Sequence, residues 1–194
     1  GFFGDGVSAL AYSKNGVVCN IFPSNCSTTS GYPPCTHCGE IVGPDIKKNV
    51  YTVTHTYPGG SYFYIISMTD PNRNDDIANI PVGGVPFSIQ DTLVIPDPIS
   101  GMQPYNNSAI LINPPIDKAC AERIFIHNPG AVDPDGDSLS YALGVCFEDL
   151  NTPIPGYIFP SGISIDPVTG DFVWNNPPLA LNASHCDEYN FAID

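Results

Sequence analysis

Apolar and polar residues alternate at two-residue spacing in several short runs, and this pattern predicts β-strands. The clearest pair of runs flanks a Pro-Gly-Gly turn at residues 58–60. The side chains expected to share a face before and after this turn are Tyr51, Val53, His55 and Tyr57, then Tyr62, Tyr64, Ile66 and Met68. Alternation on both sides of a turn predicts an antiparallel pair of strands.

Similar runs recur along the rest of the chain. An Asn15-Gly16 pair between two short apolar runs predicts a hairpin near the N-terminus. A short Gly-containing turn at residues 166–171 lies between two alternating runs and predicts another hairpin. Further strands are expected within 85–95, 108–112, 123–128, 138–146, 162–167, 171–175 and 188–194.

The composition favours an all-β fold. The chain has 194 residues, of which 21 are Pro and 18 are Gly, and no long stretch combines a helical period with freedom from helix breakers. We predict two tandem Ig-like β-sandwich domains, residues 1–112 with a Cys-rich N-terminal loop and residues 113–194, because this size suits such sandwiches. The boundary is placed at the stiff Asn113-Pro114-Pro115 segment.

The second predicted domain ends in a β-run at Asp194, after about 80 residues, whereas a sandwich of this type usually needs about 100. A missing terminal strand would leave an open sheet edge and an unfilled groove. We therefore expect either a truncated domain or a strand supplied by a neighbouring chain.

Charge restricts the partners that the chain can have. Six Lys and Arg stand against twenty Asp and Glu, which gives a formal charge of −14. Nucleic acid and anionic membrane surfaces would be repelled. An acidic surface suits cations or neutral partners such as glycans, although the charge could serve solubility alone. No apolar run reaches transmembrane length, so direct membrane insertion is not expected.

Seven cysteines favour an oxidising, extracellular location, in which they form bridges. Cys35, His37 and Cys38, with two upstream cysteines, could instead form a zinc site. We favour disulfides and pair Cys120 with Cys146, which leaves Cys186 as the odd thiol. The disulfide candidates are Cys19, Cys26, Cys35, Cys38, Cys120 and Cys146.

Several motifs resemble modules of bacterial cell-surface proteins. The residues similar to the core of PKD-type domains are Val53, His55, Tyr57, Gly60, Tyr62 and Asp70. Residues 128–143, NPGAVDPDGDSLSYAL, resemble the opening of cadherin-like and putative-Ig domains, and residues 160–174 resemble their closing hairpin. The order of motifs looks like that of surface proteins linked to gliding motility and type IX secretion. This resemblance implies a secreted, non-catalytic module.

The acidic run places Asp133, Asp135 and Asp137 at alternating positions. Such hard oxygen ligands suit Ca²⁺, with Asp117 from the predicted hinge as the second contributor. The alternative is a turn in which the Asp side chains cap backbone N–H groups. The pattern is not an EF-hand, because glycines occupy the wrong positions.

Candidate catalytic chemistry is sparse. There is no G-x-S-x-G elbow, P-loop or G-x-G-x-x-G motif, and His55 is interpreted as a core or half-buried residue. Trp174, the single Trp, is interpreted as core rather than as a sugar platform. We predict no enzyme activity.

The sequence therefore predicts an extracellular structural or adhesive module of a surface protein or filament. Neighbouring copies or other surface proteins are the expected partners, joined by strand donation. The alternative is a carbohydrate-binding module attached to a secreted enzyme.

Overall fold

The computed structural model describes residues 40–43, 46–48, 55–57, 62–71, 73–74, 76–95, 106–180 and 187–194. Every regular element in this part of the chain is a β-strand, which confirms the predicted all-β class. The strands are β1 (Glu40–Gly43), β2 (Ile46–Lys48), β3 (Phe63–Asp70), β4 (Phe87–Val94), β5 (Ile110–Leu111), β6 (Phe125–His127), β7 (Ala131–Val132), β8 (Leu143–Gly144), β9 (Phe147–Asp149), β10 (Thr152–Pro153), β11 (Ile163–Ile165), β12 (Phe172–Trp174) and β13 (Ala192–Ile193).

All paired strands run antiparallel and form five small sheets within the described residues. The four-stranded sheet has the order β10-β9-β4-β3, and the three-stranded sheet has the order β11-β12-β6. Three two-stranded ribbons join β1 to β2, β13 to β8 and β5 to β7. The described strands are short and divided among several small sheets. Each sheet therefore depends on packing against neighbouring segments for its stability.

The longest strand pair lies where alternation predicts two strands, although Tyr62 and Met68 of the predicted shared face are exposed. β3 and β4 pair over eight residues, from Phe63 opposite Val94 to Asp70 opposite Phe87. Tyr64 is buried on one face, and the β-branched residues of β4 suit a pleated strand. Pro86 comes just before β4, where its missing N–H removes no ladder bond. The strands predicted after the 58–60 turn and at 85–95 are confirmed, whereas residues 55–57, predicted to belong to a strand before that turn, are not in a strand.

The four-stranded sheet joins the two sides of the predicted domain boundary at residue 113. Ser88 of β4 pairs with Phe147 of β9. The buried apolar cluster also draws from both sides, with Ile77, Ile80 and Val85 before the boundary. Its other members are Cys146 and Ile154. The division into 1–112 and 113–194 stays a prediction, and any two such domains share this sheet and this core.

Arg73 binds three chain segments together at this junction. Its Nε donates to the Pro86 carbonyl at 3.1 Å, and its Nη2 donates to the Phe147 carbonyl at 3.0 Å. Its guanidinium also lies over the Phe87 ring, 5.3 Å from the ring centre. These carbonyls lie where β4 and β9 meet, so one planar side chain satisfies acceptors on both strands.

The predicted hairpin at residues 166–171 is confirmed. Ile165 of β11 stands opposite Phe172 of β12, and Ile163 stands opposite Trp174. Phe172 and Trp174 are both buried, so β12 turns its two large aromatic side chains into the protein. β6 pairs with the other edge of β12, with His127 opposite Phe172.

Two predicted strands are shorter than expected. The run 138–146 forms only β8, whose pairing with β13 extends as far as Ala142, while the preceding Tyr141 bonds to a different segment. The Tyr141 N–H donates to the Pro167 carbonyl at 3.1 Å, and Ala142 exchanges two backbone bonds with Asp194, each 2.9 Å. The predicted strand at residues 188–194 is also shorter than expected, since only Ala192–Ile193 forms β13, paired with β8. The N-terminal hairpin around Asn15-Gly16 and the turn at 58–60 lie outside the described residues.

Candidate functional site

The acidic run at 133–137 forms a turn capped by one of its own carboxylates. Asp133 Oδ1 accepts the backbone N–H groups of Asp135 at 2.8 Å and Asp137 at 3.2 Å. The Gly136 N–H donates to the Asp133 carbonyl at 3.3 Å, and Gly136 has a φ of 84°, which favours glycine. This is the capping arrangement that the sequence analysis gave as its alternative to a cation site.

Asp135 connects this turn to the segment before β5. Its carboxylate accepts the Asn107 backbone N–H at 2.6 Å and the Asn107 side-chain amide at 3.0 and 3.1 Å. Asp137 is exposed and lies at the end of the turn. Two of the three carboxylates are therefore used to fix backbone and loop positions.

Asp117 is held by a different contact. Its Oδ1 accepts the Lys118 N–H at 2.7 Å, and its Oδ2 lies 3.4 Å from His127 Nδ1. The side chain of Asp117 is half exposed, whereas that of His127 is mostly covered. These contacts of Asp117 lead to β6 and to the backbone of the next residue.

The predicted calcium ligands do not form a cation site in this arrangement. Among the described residues, no group of three or more Asp, Glu, His or Cys side chains is placed to hold a metal ion. Carboxylate oxygens of Asp133 and Asp135 already accept hydrogen bonds from N–H donors. A Ca²⁺ ion needs six to eight oxygen ligands around it. Calcium binding stays a prediction.

Two of the cysteine candidates lie in the described part, and both are unbridged. Cys120 is exposed, whereas Cys146 is buried in the apolar cluster, so the expected pairing between them is not formed. The pairing was inferred from neighbouring strands in sequence, but residues 120–123 turn toward Pro177, whose carbonyl accepts the Glu122 N–H at 2.8 Å. The other cysteines lie outside the described residues: Cys19, Cys26, Cys35, Cys38 and Cys186.

The buried thiol lies in a small polar cluster within the core. Burial raises the pKa of the Cys146 thiol, and burial likewise raises the pKa of the Tyr157 phenol. The Tyr157 hydroxyl donates to the Asn190 carbonyl at 2.9 Å. Asn79, almost fully buried, donates from Nδ2 to the same carbonyl at 2.7 Å and accepts the Asn190 N–H at 3.0 Å. A protonated, shielded thiol is a poor nucleophile, so this cluster is suited to structure.

Trp174 fills the core, as interpreted from the sequence. It is 3% exposed and contacts the rings of Tyr189 and Phe191, and its Nε1 donates to the Ser161 carbonyl at 3.2 Å. A buried indole cannot stack on a sugar. His55 is half-buried beside Tyr57, with ring centres 4.6 Å apart, which agrees with its interpretation.

Sequence reasoning missed Asn128, which joins β6 to the 166–171 hairpin. Its amide nitrogen donates to the Thr169 carbonyl and to Asp171 Oδ1, each at 2.8 Å. Its amide oxygen accepts the Gly130 N–H at 2.7 Å. The Asn-Pro-Gly sequence at 128–130 signals a turn, but its partners lie about 40 residues away and leave no local signal.

An open groove of about 310 Å³ lies between residues 113–117 and β6. Pro114, Ile116 and Ile126 supply its apolar lining, and Asp117 and His127 supply polar groups. Asn113 and Asn128 also line the groove, and the Asn113 amide donates to the Asn128 carbonyl at 2.8 Å. A second cavity, beside Arg73 and Ile77, holds only about 20 Å³. The groove is therefore the better candidate for a binding surface.

The described part contains no helix with the length and apolarity that crossing a bilayer requires. When the chain was compared with protein-family models, curated proteins and solved structures, none of them matched it. The likeness to PKD-type and cadherin-like modules therefore rests on the motifs in the sequence.

Proposed function

We propose that this chain is a non-catalytic structural or adhesive module of an extracellular bacterial surface protein or filament. It acts as a stiff spacer that carries load and contacts neighbours. In this proposal the all-β chain comprises two tandem Ig-like modules, PKD-like and then cadherin-like, joined through a shared sheet.

The observation that carries the proposal is the set of long-range ties between residues 73–94 and 146–190. Ser88 pairs with Phe147, 59 positions further along the chain. Asn79 and Asn190 exchange two hydrogen bonds across a separation of 111 positions. Such ties must all break before these segments separate, so they resist extension of the chain.

The polar side chains that could have served chemistry are used to hold backbone. Asp133 caps its own turn, and Asp166 Oδ1 accepts the N–H groups of Val168 at 2.8 Å and Thr169 at 2.9 Å. Asp135 fastens Asn107. This use of carboxylates supports a structural role, because a catalytic carboxylate needs access to a reacting group.

Glycan binding remains the alternative from the sequence, and the burial of Trp174 counts against it. The single Trp of this chain is in the core, so it cannot stack on a sugar, whereas Tyr62, Phe63 and Phe159 are exposed aromatic rings in the described part. A glycan array with the purified chain tests this alternative directly.

Pulling the chain between its ends in a force spectrometer tests the proposed spacer role. We expect a distinct unfolding peak, with a length gain of about 65 nm if the whole chain unfolds as one unit. Two independent domains would instead give steps of about 38 and 28 nm, for residues 1–112 and 113–194. Extension without any force peak would contradict the proposal.

A further inference from the structure

We propose that the groove beside β6 binds an extended segment of another protein, which adds a strand to β6 and carries Lys or Arg next to its apolar residues. This inference deepens the proposed function and rests on it, because it names the surface and the chemistry of the partner. The groove is the open space of about 310 Å³ between residues 113–117 and β6.

β6 offers an edge for strand addition. In the described part, β6 pairs with β12 on one side, and no strand pairs with its other edge. Unpaired strand edges present backbone N–H and C=O groups that another extended segment can satisfy. Main-chain bonds of this kind supply affinity, and pockets for alternate side chains supply specificity.

The groove also exposes aliphatic surface that a partner would cover. Ile126 is 59% exposed and Ile116 is 52% exposed, and both line the groove. Ile124, one residue before β6, is 67% exposed. Exposed apolar side chains gathered around one groove are typical of a protein-binding surface.

Charge selects the partner. The Asp117 carboxylate is half exposed at the groove, and its contact with His127 is long, at 3.4 Å. Its other oxygen accepts the Lys118 N–H at 2.7 Å. No Lys or Arg is among the residues that line the groove, so a cationic side chain from a partner would share the Asp117 carboxylate with the His127 ring alone among the lining side chains.

The same argument disfavours a second copy of this chain. A copy carries a formal charge of −14, with only six Lys and Arg. Bringing two such surfaces together costs electrostatic repulsion, which grows as salt is lowered. A strand from a basic protein gains from the same field.

A synthetic peptide in which valines alternate with threonines between terminal pairs of lysines is the probe. Binding to the full chain is followed by fluorescence anisotropy at low and at physiological salt. We expect saturable binding that weakens with salt. Hydrogen exchange should slow at the backbone amide of Ile126 when the peptide is bound, because adjacent N–H groups of a strand point to opposite edges and His127 faces β12. A peptide with proline at a central valine should bind at least about tenfold more weakly, because proline removes a strand donor.

Two variants locate the site. Ile126→Asp should weaken binding at least about tenfold, since it places a charge in the apolar lining. Ile89→Asp is the matched control, because Ile89 is also an exposed strand isoleucine, 50% exposed, but lies in β4 of the other sheet. Asp117→Asn should weaken binding up to about fivefold at low salt and leave a lysine-free peptide unaffected.

Several outcomes overturn the inference. Equal binding of the proline peptide or of a glutamate-flanked peptide would remove strand addition or charge selection. Equal loss in the Ile126→Asp and Ile89→Asp variants would remove the groove, and absence of binding by every peptide would remove the site. A dimer that Ile126→Asp abolishes would identify a second copy as the occupant. None of these results alters the force measurement, which tests the spacer role separately.

Discussion

Two turns of this chain share a local design but have different surroundings. The first is Asp133-Pro134-Asp135-Gly136-Asp137, and the second runs from Asp166 through Pro167 and Gly170 to Asp171. In each turn, the first Asp accepts two backbone N–H groups on Oδ1, at 2.8 and 3.2 Å in one and at 2.8 and 2.9 Å in the other. In each turn the glycine has a positive φ.

The two turns lead into different structures. The second connects β11 and β12 as a hairpin, and Gly170 is buried against Tyr141. The first follows β7, which pairs backward with β5, and Gly136 meets no neighbouring atom within 4 Å of an added Cβ. The comparison teaches that turn chemistry specifies a turn, whereas packing decides whether a hairpin follows.

Truncations in the segments that follow the two turns should differ most in how much they lower the free energy of unfolding. Trp174→Ala should lower the free energy of unfolding by about 4 kcal/mol, because it empties a fully packed site. Leu139→Ala, which follows the first turn and is only half-buried, should cost about 1–2 kcal/mol. Urea denaturation of both variants measures the difference, and equal costs would show that the two turns lead into equally packed segments.

The next largest expected difference in the free energy of unfolding is between alanine substitutions of the two turn glycines. Gly170→Ala should cost about 3 kcal/mol, because an L side chain at positive φ is strained and its Cβ would approach the Tyr141 ring. That approach is 2.9 Å, whereas Gly136 has open space. Gly136→Ala should therefore cost only about 1 kcal/mol, from backbone strain alone.

Thermal unfolding checks the glycine pair, with about 2–4 °C expected for each kcal/mol. The double variant Gly170→Ala, Tyr141→Ala serves as the control. It should lose less stability than the two single changes added together, because the smaller side chain removes the collision. Strict additivity would show that Tyr141 does not constrain Gly170.

Calcium separates the turns by chemistry. The sequence prediction requires free Ca²⁺ to raise the free energy of unfolding, by about 2.7 kcal/mol at a hundredfold excess over Kd, and the thermal midpoint to rise with it. Asp137→Asn should abolish this gain, whereas Asp171→Asn in the other turn should leave it in place. Equal midpoints with calcium and with chelator would remove the predicted site.

The smallest expected effect is a loss of stability in acid, which comes from the Asp166 cap of the second turn. Hydrogen bonds from the Thr169 and Val168 backbone lower the pKa of Asp166 from its ordinary 3.8. A lowered folded-state pKa contributes stability above the unfolded pKa, and this contribution is lost as pH falls through the folded value. The stability gap between the native chain and Asp166→Asn should therefore narrow below about pH 3.8.

Urea titrations between pH 6 and pH 2 measure this gap. Val168→Ala is the control, since it keeps the donating N–H and should keep the native acid dependence. A gap that stays constant through the acid range would show that the Asp166 cap does not stabilise the folded state as a carboxylate.

Local patterns predicted much of the strand content. The alternation at 62–70 and 85–95 became β3 and β4, and the 166–171 hairpin formed as expected. The run at 138–146 was overestimated, because its pairing with β13 ends at Ala142 and the Tyr141 N–H bonds instead to Pro167 of another segment. Alternation alone does not say which partner a strand will have.

The candidate site was less predictable than the strands. The acidic run suggested a cation, yet Asp135 turned to Asn107, 28 positions away, and Asp117 turned to His127. Arg73 carried no motif, although it links two strands. Each of these pairings is a contact between loops that are distant in sequence, and such contacts leave no periodic signal in a single sequence.

The sequence by itself determined the β-class, the turns and the acidic surface, because these depend on residue propensity, period and charge within a few positions. Only the tertiary structure decided that β4 pairs with β9 across residue 113, that Cys146 is buried without a bridge, and that β6 keeps an open edge beside a groove. Those outcomes depend on contacts between distant segments, whose free energies are set jointly by packing and chain entropy.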